Sequence, residues 1–209
     1  MPTLTLLTPP AAEPLTLAEA KSWLRVEIAD DDALISGLIS AARALAEKET
    51  GRSFLTQQWR LTAADWGDRR AWSLADWQSS PRSITLPRAP LQSVESIRYR
   101  PSASADLVTL STSIYRVIPG DPGKVVPISG AFPPVDGSDG SIEVEFTAGF
   151  ADAIAGVEPG TAEPIRLAIR YALGTWYENR ESTIVGTTAT ELPNGSKLIL
   201  SALKTGVYW

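Results

Sequence analysis

The chain has 209 residues, 44% of them hydrophobic and 21% charged, which is typical of a folded globular protein with one sizeable core or two small ones. It contains no cysteine and no histidine, which excludes disulfides and thiolate metal sites and removes the commonest general base. With 19 basic and 24 acidic residues its formal charge is −5, the wrong sign for a protein that grips phosphates. The composition therefore predicts no catalytic residues, no cofactor, no bound metal and no tight hold on DNA.

The N-terminal quarter predicts an extended arm followed by two helices. Residues 1–15 are rich in Pro and Thr, and Thr16-Leu17-Ala18-Glu19 has the spacing of a capping box at a helix start. A second helix is predicted from Asp30-Asp31-Asp32, where carboxylates suit the positive end of the helix dipole, to the glycine cap at Gly51. Clustered aspartates can also hold a divalent cation, but this run lacks the glycine and distal glutamate of a calcium loop. The helix-cap interpretation is favoured.

The residue composition of 54–150 differs from that of the preceding segment and predicts a β-rich insertion, because short stretches of β-branched and aromatic residues alternate with turn residues. The last predicted strand alternates most clearly, with Glu143 and Glu145 on the face opposite its apolar residues. These two carboxylates point out on one strand face and not into a pocket, so they are interpreted as solvated and not as a hydrolase pair. The predicted strands are Gln57–Ala63, Ser83–Leu86, Val94–Arg100, Ile114–Ile118, Lys124–Ile128 and Ser141–Thr147.

Helical periodicity returns after Pro164, which is interpreted as a first-turn residue of a helix that is apolar on much of its circumference. Such a helix needs cover on more than one side. We therefore expect residues 16–53 and 151–197 to form two parts of one helical core, with Leu38 and Leu173 inside it. The predicted fold class is α+β, with a helical core from the N- and C-terminal helices and a central antiparallel β insertion.

Residues 198–209 carry much apolar material where chain termini usually fray. A last short helix that completes the protein's own core accounts for the leucines. It accounts less well for the two aromatic residues at the end, which favour a contact with a partner or a neighbouring subunit. The candidate interface residues are Leu198, Leu203, Val207, Tyr208 and Trp209.

Four of the seven tryptophans crowd into residues 59–77, near Asp65, Asp68 and Asp76. Aromatic rings beside carboxylates suit a sugar-binding surface, but large aromatics also anchor cores and protein interfaces. A core or interface role is favoured, and a carbohydrate-binding β module of a phage tail is the alternative function. The four residues are Trp59, Trp66, Trp72 and Trp77.

The order of these elements resembles the head–tail connector, or adaptor, proteins of long-tailed bacteriophages and gene-transfer particles. The resemblance spans nearly the whole chain, although Ala131-Phe132-Pro133 stands where the family often has Trp-Pro. The matching segments run Pro14-Leu15-Thr16-Leu17-Ala18-Glu19-Ala20-Lys21, Trp23-Leu24-Arg25, Asp30-Asp31-Asp32, Glu49-Thr50-Gly51-Arg52-Ser53-Phe54, Gln58-Trp59, Leu86-Pro87-Arg88-Ala89-Pro90-Leu91-Gln92-Ser93-Val94, Phe146-Thr147-Ala148-Gly149-Phe150 and Trp176-Tyr177-Glu178-Asn179-Arg180-Glu181.

The resemblance implies a non-enzymatic virion protein of the neck, assembled in the bacterial cytoplasm. It implies a homo-oligomeric ring of twelve subunits between the portal and a tail-side stopper or terminator protein, with a channel through which DNA passes without specific binding. The segment 198–209 would reach toward the portal. The implied protein has no membrane contact.

Overall fold

The computed structural model describes residues 2–66, 83–179, 183–184, 187–188 and 193–205. Within these residues the chain forms two compact units. Of the described residues, the β unit contains 2–10, Gly51–Phe150 and Thr205, and the helical unit contains Ala11–Thr50 and Ala151–Lys204. Helices from both ends of the sequence thus share one unit and the residues between them form the other, which confirms the predicted α+β class.

The β unit is built on a five-stranded antiparallel sheet in the order β1-β2-β8-β4-β5. The alternation predicted for β8 is observed: its apolar side chains are buried, while Glu143 and Glu145 lie on the other face. The strands are β1 (Thr3–Thr8), β2 (Gln57–Ala63), β4 (Leu91–Tyr99), β5 (Val108–Thr109) and β8 (Ile142–Ala148).

A second, three-stranded antiparallel sheet has the order β3-β7-β6. Its strands are β3 (Ile84–Thr85), β6 (Tyr115–Ile118) and β7 (Lys124–Pro127). Buried residues from both sheets make one hydrophobic core, because each strand turns alternate side chains to the same side. The largest fully buried members are Leu61, Leu86, Ile97, Leu110, Ile142 and Phe146.

The helical unit begins with the predicted capping box, in which the Glu19 amide donates to Thr16 Oγ1 and the Thr16 amide donates to Glu19 Oε2. The unit's core cluster draws on three helices and includes Leu15, Ile39 and Leu173. The predicted packing of the N- and C-terminal helices is thereby confirmed. The helices are α1 (Leu17–Leu24), α2 (Asp32–Thr50), α3 (Pro159–Glu178) and α4 (Asn194–Ser201).

Three features differ from the sequence expectation. The N-terminal arm is a sheet strand, because Thr3–Thr8 pairs antiparallel with β2. Helix α3 begins at Pro159, so Pro164 lies inside it, where proline removes a single backbone hydrogen bond near the helix start. Short pairs of strands also escaped prediction, since two residues are too few to show a period: these are β5, β9 (Thr183–Ile184) and β10 (Thr187–Thr188).

Candidate assembly surfaces

The predicted interface segment is anchored to the helical unit through one face of α4. Leu200 is fully buried, and the buried Ser196 hydroxyl donates to the backbone oxygen of Ala168 on α3 at 3.0 Å. Leu198 is two residues from Ser196 and two from Leu200, so it lies on the opposite side of the helix, and it is 75% exposed. Helix α4 therefore contributes one face to the protein's own core and leaves Leu198 open to a partner.

The residues directly after α4, as far as Lys204, belong to the same unit. Lys204 Nζ lies 2.7 Å from Glu49 Oε1 near the end of α2, and Leu203 is half-buried. Val207, Tyr208 and Trp209 lie outside the described residues. Of the five predicted interface residues, only Leu198 is observed as a freely exposed apolar side chain, and the assembly role of the group stays a prediction.

An exposed aromatic and cationic surface on the helical unit was missed by sequence reasoning. Trp23 and Tyr171 are 44% and 42% exposed, and their rings meet edge to face with centroids 6.2 Å apart. The Arg170 guanidinium lies 5.9 Å from the centroid of the Trp23 ring. Together with Arg25, which ends α1 with a left-handed backbone (φ 59°), these residues form what we name the Trp23 patch.

The Trp23 patch borders an open groove along α1 and α3. Exposed aromatic rings and arginines are the residue types that anchor protein interfaces, since they bury a large rigid area or pair with carboxylates. A usable signal existed in the sequence, because Leu17, Ala20 and Leu24 share one face of α1 and Trp23 lies outside that face. The groove is lined by Ala18, Glu19, Ser22, Trp23, Arg25 and Arg170.

The aspartate run begins α2, as expected, with Asp32 in the first turn of the helix, and it has a second role. Asp31 Oδ2 accepts a hydrogen bond of 2.5 Å from the Tyr177 hydroxyl on α3, and Asp32 Oδ1 lies 2.6 Å from Lys21 Nζ on α1. These two carboxylates link α2 to the helices on either side of it. In the part of the chain that the structure describes, no three acidic side chains come together as a metal ion would require.

A buried charge network also holds the helical unit together. Glu47 is only 3% exposed, and Arg43 lies between it and Glu13, at 2.8 Å and 2.7 Å. Burial alone would lower the pKa of Arg43, but the hydrogen bond to Glu13 and the charges of both carboxylates outweigh it and raise that pKa above its ordinary value. Arg43 therefore stays cationic.

The polar face of the five-stranded sheet carries a ladder of ion pairs. Arg60 lies 2.6 Å from Glu145, and Arg98 lies 2.6 Å from Glu143 and 3.4 Å from Glu145. The hydrogen bond to Glu145 raises the pKa of Arg60 above its ordinary value. The two glutamates, expected to be solvated, are instead half-buried partners of arginines on neighbouring strands.

The tryptophan cluster does not present the surface that sugar binding would need, as far as the described residues show. Trp59 and Trp66 are 8% and 7% exposed, and Trp66 stacks on Phe132 with centroids 4.5 Å apart. The indole of Trp59 donates to Ser53 Oγ at 3.1 Å. Both rings are core anchors of the β unit, while Trp72 and Trp77 lie outside the described residues.

Two positions named by the family resemblance have a structural explanation in the β unit. Arg88 has a left-handed backbone (φ 62°) and places its guanidinium 4.7 Å from the centroid of the Trp59 ring. Arg52 pairs with Asp121 and lies 5.6 Å from the centroid of the Phe150 ring. These cation–π contacts cover aromatic residues at the rim of the core.

The fold is of the α+β class: helices from both ends of the sequence form one unit, and the β region between them in sequence forms the other. A family model described as "Phage gp6-like head-tail connector protein" matches residues 14–100. No curated protein sequence matches the chain. The family match confirms the resemblance seen in the sequence: residues 14–100 are similar to head–tail connector proteins.

Solved structures of gene transfer agent (GTA) particles share the fold. One chain comes from the neck of an empty GTA particle computed with C6 symmetry, with a TM-score of 0.73, 22% identity, and coverage of 97% of this chain and 95% of that chain. A chain from the virion of a native GTA particle has a TM-score of 0.70 at 23% identity, and a chain from the neck of a native particle computed with C12 symmetry has a TM-score of 0.70 at 22% identity. Both matches have the same coverage as the first. Among the described helices, none is long and apolar enough to cross a membrane.

Proposed function

We propose that this chain is a non-enzymatic adaptor subunit of a virion neck, where twelve copies form a ring between the portal and a tail-side stopper or terminator protein. The main support is the match of the fold, across 97% of this chain, to chains from the necks of GTA particles computed with C6 and C12 symmetry. Copies would assemble in the bacterial cytoplasm, and DNA would pass through the central channel.

A ring built head to tail needs two different surfaces on every subunit, in addition to those that meet partners along the axis. The Trp23 patch supplies an exposed aromatic and cationic surface suited to a neighbouring subunit. Leu198 is exposed on α4, and it begins the second surface, which would contact the portal or a neighbouring subunit. The other members of this surface are Leu203, Val207, Tyr208 and Trp209. Anchoring by Ser196 and Leu200 holds the start of this segment in place.

The first test removes Gly206–Trp209 and compares the truncated chain with the full chain. Because Ser196 and Leu200 anchor α4 and Lys204 anchors the residues after it, we expect the melting temperature to stay unchanged. Aromatic anchors at interfaces are commonly worth about 2 kcal/mol or more, so assembly with the portal protein should weaken about thirtyfold or more. The measurement is electron microscopy of chain and portal mixed over a concentration series, scored for rings of twelve.

The control for this truncation is Lys197→Ala on the solvent side of α4, which leaves the apolar segment complete. Full-chain particles without a ring on the portal would contradict the adaptor function. Unfolding of the truncated chain would contradict the assembly role of the segment and place these residues in the protein's own core.

A second prediction concerns DNA as a passenger. The chain carries a net charge of −5, and on the polar sheet face Arg60 and Arg98 are already paired with glutamates. We expect no retention of duplex DNA in a mobility-shift assay at about 0.15 M salt, where exposed charges are screened beyond roughly 8 Å. Retention that falls steeply as salt rises would contradict passive passage.

A further inference from the structure

The outer edge of β1 is an open strand edge in the part of the chain that the structure describes. Within the described residues, β1 pairs with β2 on one side, and no backbone hydrogen bond reaches Thr3–Thr8 from the other side. Five of its six residues are exposed, and Leu6 is 42% exposed. An edge of this kind presents unpaired N–H and C=O groups to any extended chain that fits.

The opposite edge of the same sheet is protected, which makes the open edge informative. Strand β4 carries two register irregularities and a charged residue, Glu95, and its ends are covered by β5 and by a bridge from Leu91 to Gly120. Bulges, charges and short cover strands are the usual ways to prevent edge pairing. Between Thr3 and Leu6, β1 has none of them: its residues are uncharged, and its one irregularity begins after Leu6.

The faces of β1 determine what can pair with it. Leu4 and Leu6 are in register with Leu61 and Trp59 of the core, while Thr5 is in register with Arg60 on the polar face. A partner strand must therefore alternate apolar and polar residues in the same way, with no charge and no internal proline. Residues Thr3 to Leu6 of β1 themselves meet this requirement, and Pro2 and Pro9 limit the pairing to the residues between them.

We propose that β1 pairs antiparallel with β1 of a second copy of this chain, across a twofold axis at Thr5. This register places Leu4 opposite Leu6 of the second copy and Thr5 opposite Thr5, so both faces of the two sheets stay continuous. It buries the exposed Leu6 side chain and joins two five-stranded sheets into one. The pairing is a property of the free chain and is independent of the proposed neck role.

The test is a charge swap at Thr5, read by sedimentation equilibrium without any portal protein. The unchanged chain should reach twice its mass of 22.4 kDa as concentration rises. Thr5→Lys and Thr5→Glu each place like charges directly opposite across the axis, so each variant alone should return to the single-chain mass. Equal mixing of the two variants should restore the dimer, because unlike charges then face each other.

Thr109→Lys, the same change on the opposite edge strand, is the matched control and should leave the dimer intact. A single-chain mass for the unchanged protein at all concentrations would overturn the proposal, as would a Thr5→Lys variant that still dimerises or open-ended association in place of a dimer. Heating scans exclude unfolding as the cause of dissociation. A ring mass that Thr5→Lys leaves unaltered would overturn β1 pairing while agreeing with the adaptor function, so the two proposals fail separately.

Discussion

Leu173→Ala should lower the free energy of unfolding by about 2 to 5 kcal/mol, the range for a large-to-small change in a packed core. Leu173 on α3 is fully buried and shares one cluster with Leu15, Ile35 and Ile39. Its loss would leave a cavity where α1, α2 and α3 meet. Urea denaturation followed by far-ultraviolet circular dichroism measures the change, because most of the helix lies in this unit.

Leu198→Ala is the matched control, since it removes the same atoms from a side chain that is 75% exposed. Its effect should stay within about 0.5 kcal/mol. Leu38, which sequence reasoning placed beside Leu173 in the core, is only half-buried, so Leu38→Ala should cost less than Leu173→Ala. Equal effects at Leu173 and Leu198 would show that the α3 face is not core.

Gly149→Ala should destabilise the β unit by about 3 kcal/mol or more, since it combines a steric clash with a strained backbone. A Cβ atom at this position would lie 2.3 Å from the backbone oxygen of Leu55 and 2.6 Å from the backbone nitrogen of Thr56. The φ angle is +138°, which side chains rarely adopt. Two hydrogen bonds hold the residue in place: its own amide donates to the Pro90 carbonyl, and the Gln92 side-chain amide donates to its carbonyl.

Gly130→Ala separates the two causes. Gly130 also has a positive φ, +68°, but a Cβ there meets nothing within 4 Å. The control should therefore show only the backbone term of about 1 to 2 kcal/mol. Chemical denaturation monitored by tryptophan fluorescence reports on the β unit, where Trp59 and Trp66 are buried. Equal losses for the two variants would mean that the close approach to Leu55 is relieved at no cost.

The two units thus depend on different kinds of contact. Leu173 represents side-chain packing among helices, while Gly149 represents backbone approach at the end of β8, inside the segment Phe146–Phe150 that the family resemblance names. The glycine at position 149 in this segment therefore has a physical reason, since no other residue fits its backbone conformation and its close approach to the backbone of Leu55.

Elements whose signals are local could be predicted from the amino-acid sequence alone. The capping box at Thr16, the glycine end of α2 at Gly51 (φ 72°), the strand Gln57–Ala63 and the alternation in β8 all match their predictions. Each depends on hydrogen bonds or side-chain periods within a few residues of the chain. The family resemblance followed from the order of such local elements, and the family match over residues 14–100 supports it.

Tertiary structure decided what depends on residues far apart in sequence. Trp66 is a core residue because Phe132 covers it, and residues 3–8 form a strand because β2 lies beside them. Asp31 links helices because the Tyr177 hydroxyl reaches it from α3. The exposure of Trp23 and Leu198 is likewise set by which helix faces pack together. Burial is a property of what covers a side chain, and no local pattern records which distant segment arrives to cover it.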